Sequence, residues 1–310
     1  MIAASPSPSL RLRPCRQEGD VPNVTASKRA RRASIVWLVL VASAFAQAPK
    51  NEAAKYHNEQ DHRMQSVLWT QTSLENRMLC AQAYKLAQAK LREGLSNPKW
   101  SAATEQGTDF ARKRPAVILD VDETVLDNSP FNARLVEDGT GYDPAKWDAW
   151  CAEAKAKPIP GAKEFILDAH RLGVEVFFVT NRDAKLKQVT ATNLATELGI
   201  AIDSEHLLLK NEKPEWTSKK TARRAHVAKT HRILLLIGDD FNDFVSLGDK
   251  KPDERVTAGK HFSPSWGHHW ILLPNPTYGS WEKSIYSYDF DRSELEQIKI
   301  RHALLQPERE

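Results

Sequence analysis

Four continuous apolar runs constrain this chain more than any other feature. They lie at 116–120 (AVILD, closing on an acid), 174–179 (VEVFFV), 233–237 (ILLLI) and 270–273 (WILL). None alternates apolar with polar residues, so each predicts a strand covered on both faces, as in a parallel sheet flanked by helices. The stretches between them have helical spacing. Phe165, Ile166, Ala169 and Leu172 share one face, with Gly173 placed for a left-handed C-terminal cap. Asp183 suits the N-cap of a helix running to about Leu198 and closed by Gly199. Strands alternating with helices predict an α/β, Rossmann-like doubly wound parallel sheet.

Two segments add to that frame. Residues 62–92 predict one or two extra N-terminal helices, with Leu68, Met78, Leu79, Leu86 and Ala87 as their apolar positions. Residues 128–160, which contain Phe131, Tyr142, Trp147 and Trp150, separate the first strand from its helix. An ordinary strand-to-helix loop has about two to six residues, so this stretch predicts a small helical cap inserted after the first strand.

Charge is unevenly spread. The chain has 44 Lys and Arg against 40 Asp and Glu, a formal +4. Residues 1–46 carry seven of the basic and two of the acidic side chains, so beyond them the balance is 37 against 38. The basic excess therefore gives no reason to expect a nucleic acid polymer as partner. Residues 1–46 themselves predict an extension followed by a cleaved export signal. Lys28-Arg29-Ala30-Arg31-Arg32 is the basic region, and an apolar stretch runs from Ile35 to Ala46. Ala44-Phe45-Ala46 supplies small residues for cleavage before Gln47. The apolar stretch is too short for a helix crossing roughly 30 Å of hydrocarbon, so no stable membrane span is expected. The expectation is a domain over 47–310 in the periplasm or secreted. Cys80 and Cys151 remain in it, and two unpaired thiols are expected.

In an open parallel sheet, ligands bind beyond the carboxyl ends of the strands. Asp120, Asp122 and Thr124 follow the first run, Thr180-Asn181-Arg182 the second, and Gly238-Asp239-Asp240-Phe241-Asn242-Asp243 the third. That edge gathers several carboxylates and little to neutralise them, for which a hard divalent cation is the simplest remedy. A calcium loop starting at Asp120 does not fit, because Val125 stands where glycine is needed and Phe131 where glutamate is.

The same strings resemble the haloacid dehalogenase (HAD) superfamily of phosphohydrolases, whose D-x-D-x-T signature stands here as Asp120-Val121-Asp122-Glu123-Thr124. Within it, the chain is similar to the class B and C acid phosphatases, and nearest to the bacterial outer-membrane acid phosphatase and 5′-nucleotidase group. Supporting strings are Trp69-x-Gln71-x-Ser73-x-Glu75, DVDETVLDNSPF, KPIPGA at 157–162, FFVTNRD at 177–183, LLLIGDD at 234–240 and LPNPTYGSWE at 273–282. The resemblance implies a Mg²⁺-dependent phosphomonoesterase that works through an aspartyl-phosphate. It matches Asp120 to the nucleophile and Asp122 to the general acid and base. Thr180 matches a phosphoryl-binding hydroxyl. Lys220 matches the stabilising cation, with Lys219 the alternative register. It matches Asp239 and Asp243 to the metal site, beside Asp120 and Asp122. Glu123 has no matching role and reads as solvent-facing or structural.

The substrate implied is a small phosphomonoester, with a nucleoside monophosphate stacked between Trp147 and Tyr278. A cap-core position for Trp147 and a loop anchor for Tyr278 are the competing readings. Phe131 is expected to line the entrance and Asn181 to touch substrate, while Arg182 is either a ligand or an ion-pair partner. Arg223 and Arg224 read as a solvated helix start. A homodimer stays open. The alternatives to a nucleotidase are a narrow sugar- or cofactor-phosphate phosphatase and a non-catalytic binding or storage relative.

Overall fold

The structure, a computed structural model, describes residues 60–289 and 291–308. The predicted extension and export signal lie outside them. Two helices come first, α1 (Asp61–Thr72) and α2 (Leu74–Ser96), parted at Ser73. There the Ser73 hydroxyl accepts the Asn76 N–H at 3.1 Å and caps α2. Strand β1 (Arg114–Leu119) then enters the centre of the sheet.

After β1 the chain forms a two-residue strand, β2 (Leu126–Asp127), and helices α3 (Ser129–Glu137) and α4 (Pro144–Ala152). It returns through β3 (Lys157–Pro158), which pairs antiparallel with β2. The stretch read as a cap is thus two short helices closed at their base by a small ribbon. Helix α5 (Ala162–Arg171) follows, then β4 (Glu175–Asp183) and α6 (Lys187–Leu198). Next come β5 (Leu207–Lys210), α7 (Thr221–Thr230), β6 (His231–Gly238) and the single turn α8 (Phe241–Phe244). The remaining elements are α9 (Pro252–His261), β7 (Trp270–Leu272), α10 (Ser280–Ile285) and α11 (Glu294–Leu304).

The five long strands pair in parallel in the order β5-β4-β1-β6-β7. Successive strands step away from β1 in both directions, so the switch point lies between β1 and β6. Alternate side chains of β1 enter two separate cores. Val117 and Leu119 join α2 and α5, while Ala116 and Ile118 join α7 residues, Trp216 and Trp270. Burial on both faces is why the runs read as unbroken apolar sequence.

Three local readings change. Strand β5 was not anticipated, because Leu207-Leu208-Leu209 is too short to distinguish from a loop or buried helix turn. The inward faces of α1 and α2 differ from the predicted ones: Leu68 of α1 and Met78, Leu79 and Leu86 of α2 are exposed, and of the five named positions only Ala87 is buried. The inward stripe is Cys80, Tyr84, Ala87, Leu91 and Gly94, whose small and amphipathic members hide it from a search for large apolar residues. Tyr84 shows its value, since its hydroxyl donates to the Thr124 carbonyl at 2.7 Å and ties α2 to the loop after β1. Gly161, in KPIPGA, lies at φ +93°, where a Cβ would come within 2.9 Å of the Tyr84 Cβ. As expected, Gly173 and Gly199 are left-handed behind α5 and α6, at φ +70° and +74°. Cys80 and Cys151 are unpaired, and burial pushes their thiols up to about 11 and about 12.

Candidate active site

Parallel pairing runs one residue past β1, where the Asp120 N–H donates to the Ile237 carbonyl at 2.9 Å. This fixes Asp120 at the carboxyl edge beside the end of β6, which delivers Asp239. At the start of α7, Lys220 is buried, and its Nζ bridges Asp120 Oδ1 and Asp243 Oδ1, the latter at 2.6 Å. Lys219 is exposed. Asp243 is set by a capping box: its Oδ2 accepts the Asp240 N–H at 2.9 Å, and Asp240 Oδ1 accepts the Asn242 N–H at 2.9 Å. Asp240 also takes the Ser280 hydroxyl at 2.6 Å and so anchors α10. Gly238 has to be glycine, because a Cβ there would run into the carboxyl group of Asp243. Asp239 accepts Thr124 Oγ1 at 3.2 Å and Asn275 Nδ2 at 2.8 Å.

Asp120, Asp239 and Asp243 each present an oxygen within 4.8 Å of the others. Burial raises all three carboxyl groups, Asp120 to about 7; Lys220 opposes the rise at Asp120 and Asp243, and repulsion from neighbouring acids, Asp240 in the case of Asp243, adds to it. Three hard oxygen donors with one ammonium among them fit a small divalent cation.

Asp122 faces elsewhere. Its Oδ1 accepts Arg182 Nε at 3.0 Å, Arg182 Nη2 at 2.8 Å and Asn128 Nδ2 at 2.9 Å. Its Oδ2 faces the Thr180 hydroxyl at 3.4 Å. Its carboxylate therefore lies outside the three-acid cluster. Arg182, left open as ligand or ion-pair partner, is buried as the partner of Asp122. Two carboxylates of unlike surroundings thus stand two residues apart.

The other predicted residues divide between the site and its supports. Thr180 is fully buried at the end of the regular part of β4. Asn181 commits its amide to Ser218 O at 3.0 Å and Arg223 Nη2 at 2.6 Å, which ties down the loop before Lys220. Trp147 is partly buried beneath the Arg182 guanidinium, 5.5 Å from ring centre to Cζ. Phe131 does not line an entrance; it is buried, edge-to-face on Trp147 at 5.1 Å. Tyr278 is partly buried and its hydroxyl donates to Glu123 Oε2. Glu123 is not solvent-facing either. It sits at φ +57°, buried, with Oε1 accepting the Asn128 N–H at 2.9 Å. Burial and the neighbouring Asp122 hold its carboxyl well above the usual range.

Arg223 and Arg224 were read as solvated, yet both are fully buried. Arg223 donates to the carbonyls of Thr180 and Thr217, and burial lowers it to about 10. Arg224 donates to the Asp243 carbonyl at 2.9 Å and the Asn242 carbonyl at 3.2 Å, and pairs with Glu105 at 2.7 Å. The signal was available in their spacing, three and four residues from Lys220 on one helix face. Asn128 carried no signal of its own, since asparagine before a helix reads as a cap.

Comparison with known proteins gives one picture. The family described as HAD superfamily, subfamily IIIB (acid phosphatase), matches residues 24–281. Acid phosphatase 1 of Solanum lycopersicum is 28% identical over 169 residues, covering 53% of this chain and 59% of the relative. Vegetative storage protein 1 of Arabidopsis thaliana is 27% identical over 165 residues, covering 52% and 54%. The chain thus spans little more than half the length of the curated relatives it matches. Two structures of the class C acid phosphatase from Bacillus anthracis are also similar. One has TM-score 0.72 and 36% identity, covering 81% of this chain and 99% of the other. The second, with tungstate bound, has TM-score 0.71 and 35% identity over the same shares.

Proposed function

The chain belongs to subfamily IIIB of the HAD superfamily, the acid phosphatases, and from that premise we propose that it is an exported, Mg²⁺-dependent phosphomonoesterase acting through an aspartyl-phosphate. The observation that carries this reading is Asp120, held by Lys220 at the switch point with Asp122 separately clasped two residues on. A carboxylate of Asp120 attacks phosphorus, and the bond to the leaving oxygen breaks as Asp122 gives that oxygen a proton. Water then attacks the phosphoryl group, Asp122 takes the water's proton, and the bond to Asp120 breaks to release phosphate. Thr180 and the Lys220 ammonium stabilise the charge on the transferring oxygens. Asp120, Asp239 and Asp243 would hold a divalent cation, whose positive charge would favour ionised Asp120 and offset the charge of the phosphoryl group. Tungstate, bound in the Bacillus anthracis relative, is a tetrahedral oxyanion like phosphate, and supports a phosphoryl site. Export is supported by the basic and apolar pattern of residues 28–46.

The preferred substrate is a nucleoside 5′-monophosphate, supported by two partly buried aromatic residues, Trp147 on the cap and Tyr278 on the loop after β7. Base stacking of this kind contributes about 1–3 kcal/mol. Replacing either ring by alanine is expected to lower kcat/KM for a nucleoside monophosphate more than for glycerol phosphate. Equal losses on both remove the nucleotide preference and leave the phosphatase intact.

A screen of phosphomonoesters with and without EDTA tests the main reading, with Asp120→Asn as control. Turnover of para-nitrophenyl phosphate is expected to need the metal and to fall by about 10⁴-fold or more in the variant. Undiminished turnover by Asp120→Asn rejects the covalent route. Two of the relatives are storage proteins by name, so a folded, inactive wild-type chain would favour that second reading.

A further inference from the structure

Asn128 is fully buried at the junction of the cap and the loop after β1. Its Nδ2 donates to Asp122 Oδ1 at 2.9 Å and lies 3.5 Å from Glu123 Oε2. Its Oδ1 accepts the indole N–H of Trp150 at 2.8 Å and lies 3.5 Å from Arg182 Nη2. The two ends of the amide therefore meet opposite partners, carboxylates on one side and N–H donors on the other. Only one flip state satisfies them, and aspartate, with no donor, would set a third carboxylate against Asp122 and Glu123.

Asn128 and Arg182 together place three N–H donors on one oxygen of Asp122. The acceptor positions of that oxygen are filled by fixed donors, which leaves Oδ2 as the oxygen open to a leaving group. Oδ2 is the oxygen beside Thr180, the end of β4 where a phosphoryl group would sit. Trp150 belongs to α4, so the same amide that orients Asp122 is itself held by the cap.

We infer that Asn128 is a positioning residue for proton transfer to the leaving group, fixing Asp122 with Oδ2 forward and tying that orientation to the cap through Trp150. The inference rests on the phosphatase reading above. It predicts a dependence on leaving group, because a phenolate with an acidic conjugate acid departs with little protonation and an alkoxide does not.

The test compares kcat/KM for para-nitrophenyl phosphate and glycerol phosphate, which reports the step in which the leaving group departs. In Asn128→Ala, glycerol phosphate is expected to lose about 10²-fold and para-nitrophenyl phosphate at most about tenfold. Trp150→Phe keeps an aromatic side chain but removes the indole N–H that holds Asn128; it is expected to show the same bias at smaller size, and serves if Asn128→Ala does not fold. Equal losses on both substrates in a folded variant overturn the inference alone. A wild-type chain with no turnover overturns the phosphatase reading and the inference with it.

Discussion

The two edges of the parallel sheet carry comparable numbers of ionisable groups and treat them in opposite ways. At the amino edge, where the strands begin, Glu175 of β4 meets Arg114 at 2.7 Å, His231 at 2.9 Å and His206 at 3.1 Å. One carboxylate there has three potential cations around it. At the carboxyl edge, Asp120, Asp239 and Asp243 crowd together with Lys220 as the cation between two of them. Burial raises all three acids there, a cost that structure alone gives no reason to accept. Neutralised charge marks the edge that holds the fold together, and unbalanced charge marks the edge that acts.

Lys220→Met gives the sharpest break of this contrast. It removes the cation that bridges Asp120 and Asp243 while keeping an unbranched chain of similar length. At saturating Mg²⁺, kcat for para-nitrophenyl phosphate is expected to fall by about 10²–10³-fold, as when a charge-stabilising donor is lost. Glu175→Gln, at the other edge, is expected to leave kcat unchanged. A large loss from Glu175→Gln, or a small one from Lys220→Met, would erase the distinction between the edges.

A smaller effect tests how the carboxyl edge is held. Arg224 touches neither substrate nor metal in this scheme, yet it grips the carbonyls of Asn242 and Asp243 from behind. Arg224→Met is expected to weaken Mg²⁺ binding by about 10–100-fold, the usual range for lost outer support of a metal ligand. The measure is the Mg²⁺ concentration giving half-maximal activity, paired with direct calorimetric titration. An unchanged Mg²⁺ dependence in a folded variant would show that the capping box holds Asp243 unaided.

The carboxyl edge was legible because its acids sit at fixed offsets from strand ends, and parallel strands deliver the residues just beyond them to one place. Asp120, Thr180 and Asp239 could be located by that rule before any geometry was known. Lys220 was located by resemblance and register, and its carboxylate contacts came only with the structure. The supporting groups were not legible, since their meaning is set by partners far away in sequence. Arg182 lies 60 residues from Asp122, and Arg224 lies 119 from Glu105. Burial of Arg223 and Arg224 against a basic sequence context is a tertiary outcome that local composition misreports. The α2 stripe failed for a related reason: Cys80, Tyr84 and Gly94 pack inward while larger leucines stay out.

The smallest expected effect concerns the amino edge and its response to acid. His269 precedes β7, with its ring 4.7 Å from Trp100 and 4.3 Å from His268. Burial, with the charge of His268 as a second cause, lowers it to about 4. The unfolded chain takes up this proton near the ordinary value of about 6.5, whereas the folded chain resists it until about pH 4. A depressed histidine therefore contributes stability that is present above about pH 6.5 and lost as pH falls toward 4. His269→Phe keeps a ring beside Trp100 and has nothing to protonate. Thermal unfolding across pH 7 to 4 is expected to fall less steeply in the variant, with the two curves drawing together toward acid. His231, lowered by burial but opposed by Glu175, should respond in the same sense. Parallel curves over the whole range would mean that His269 takes up its proton at the same pH in both states and contributes nothing to the acid sensitivity of this chain.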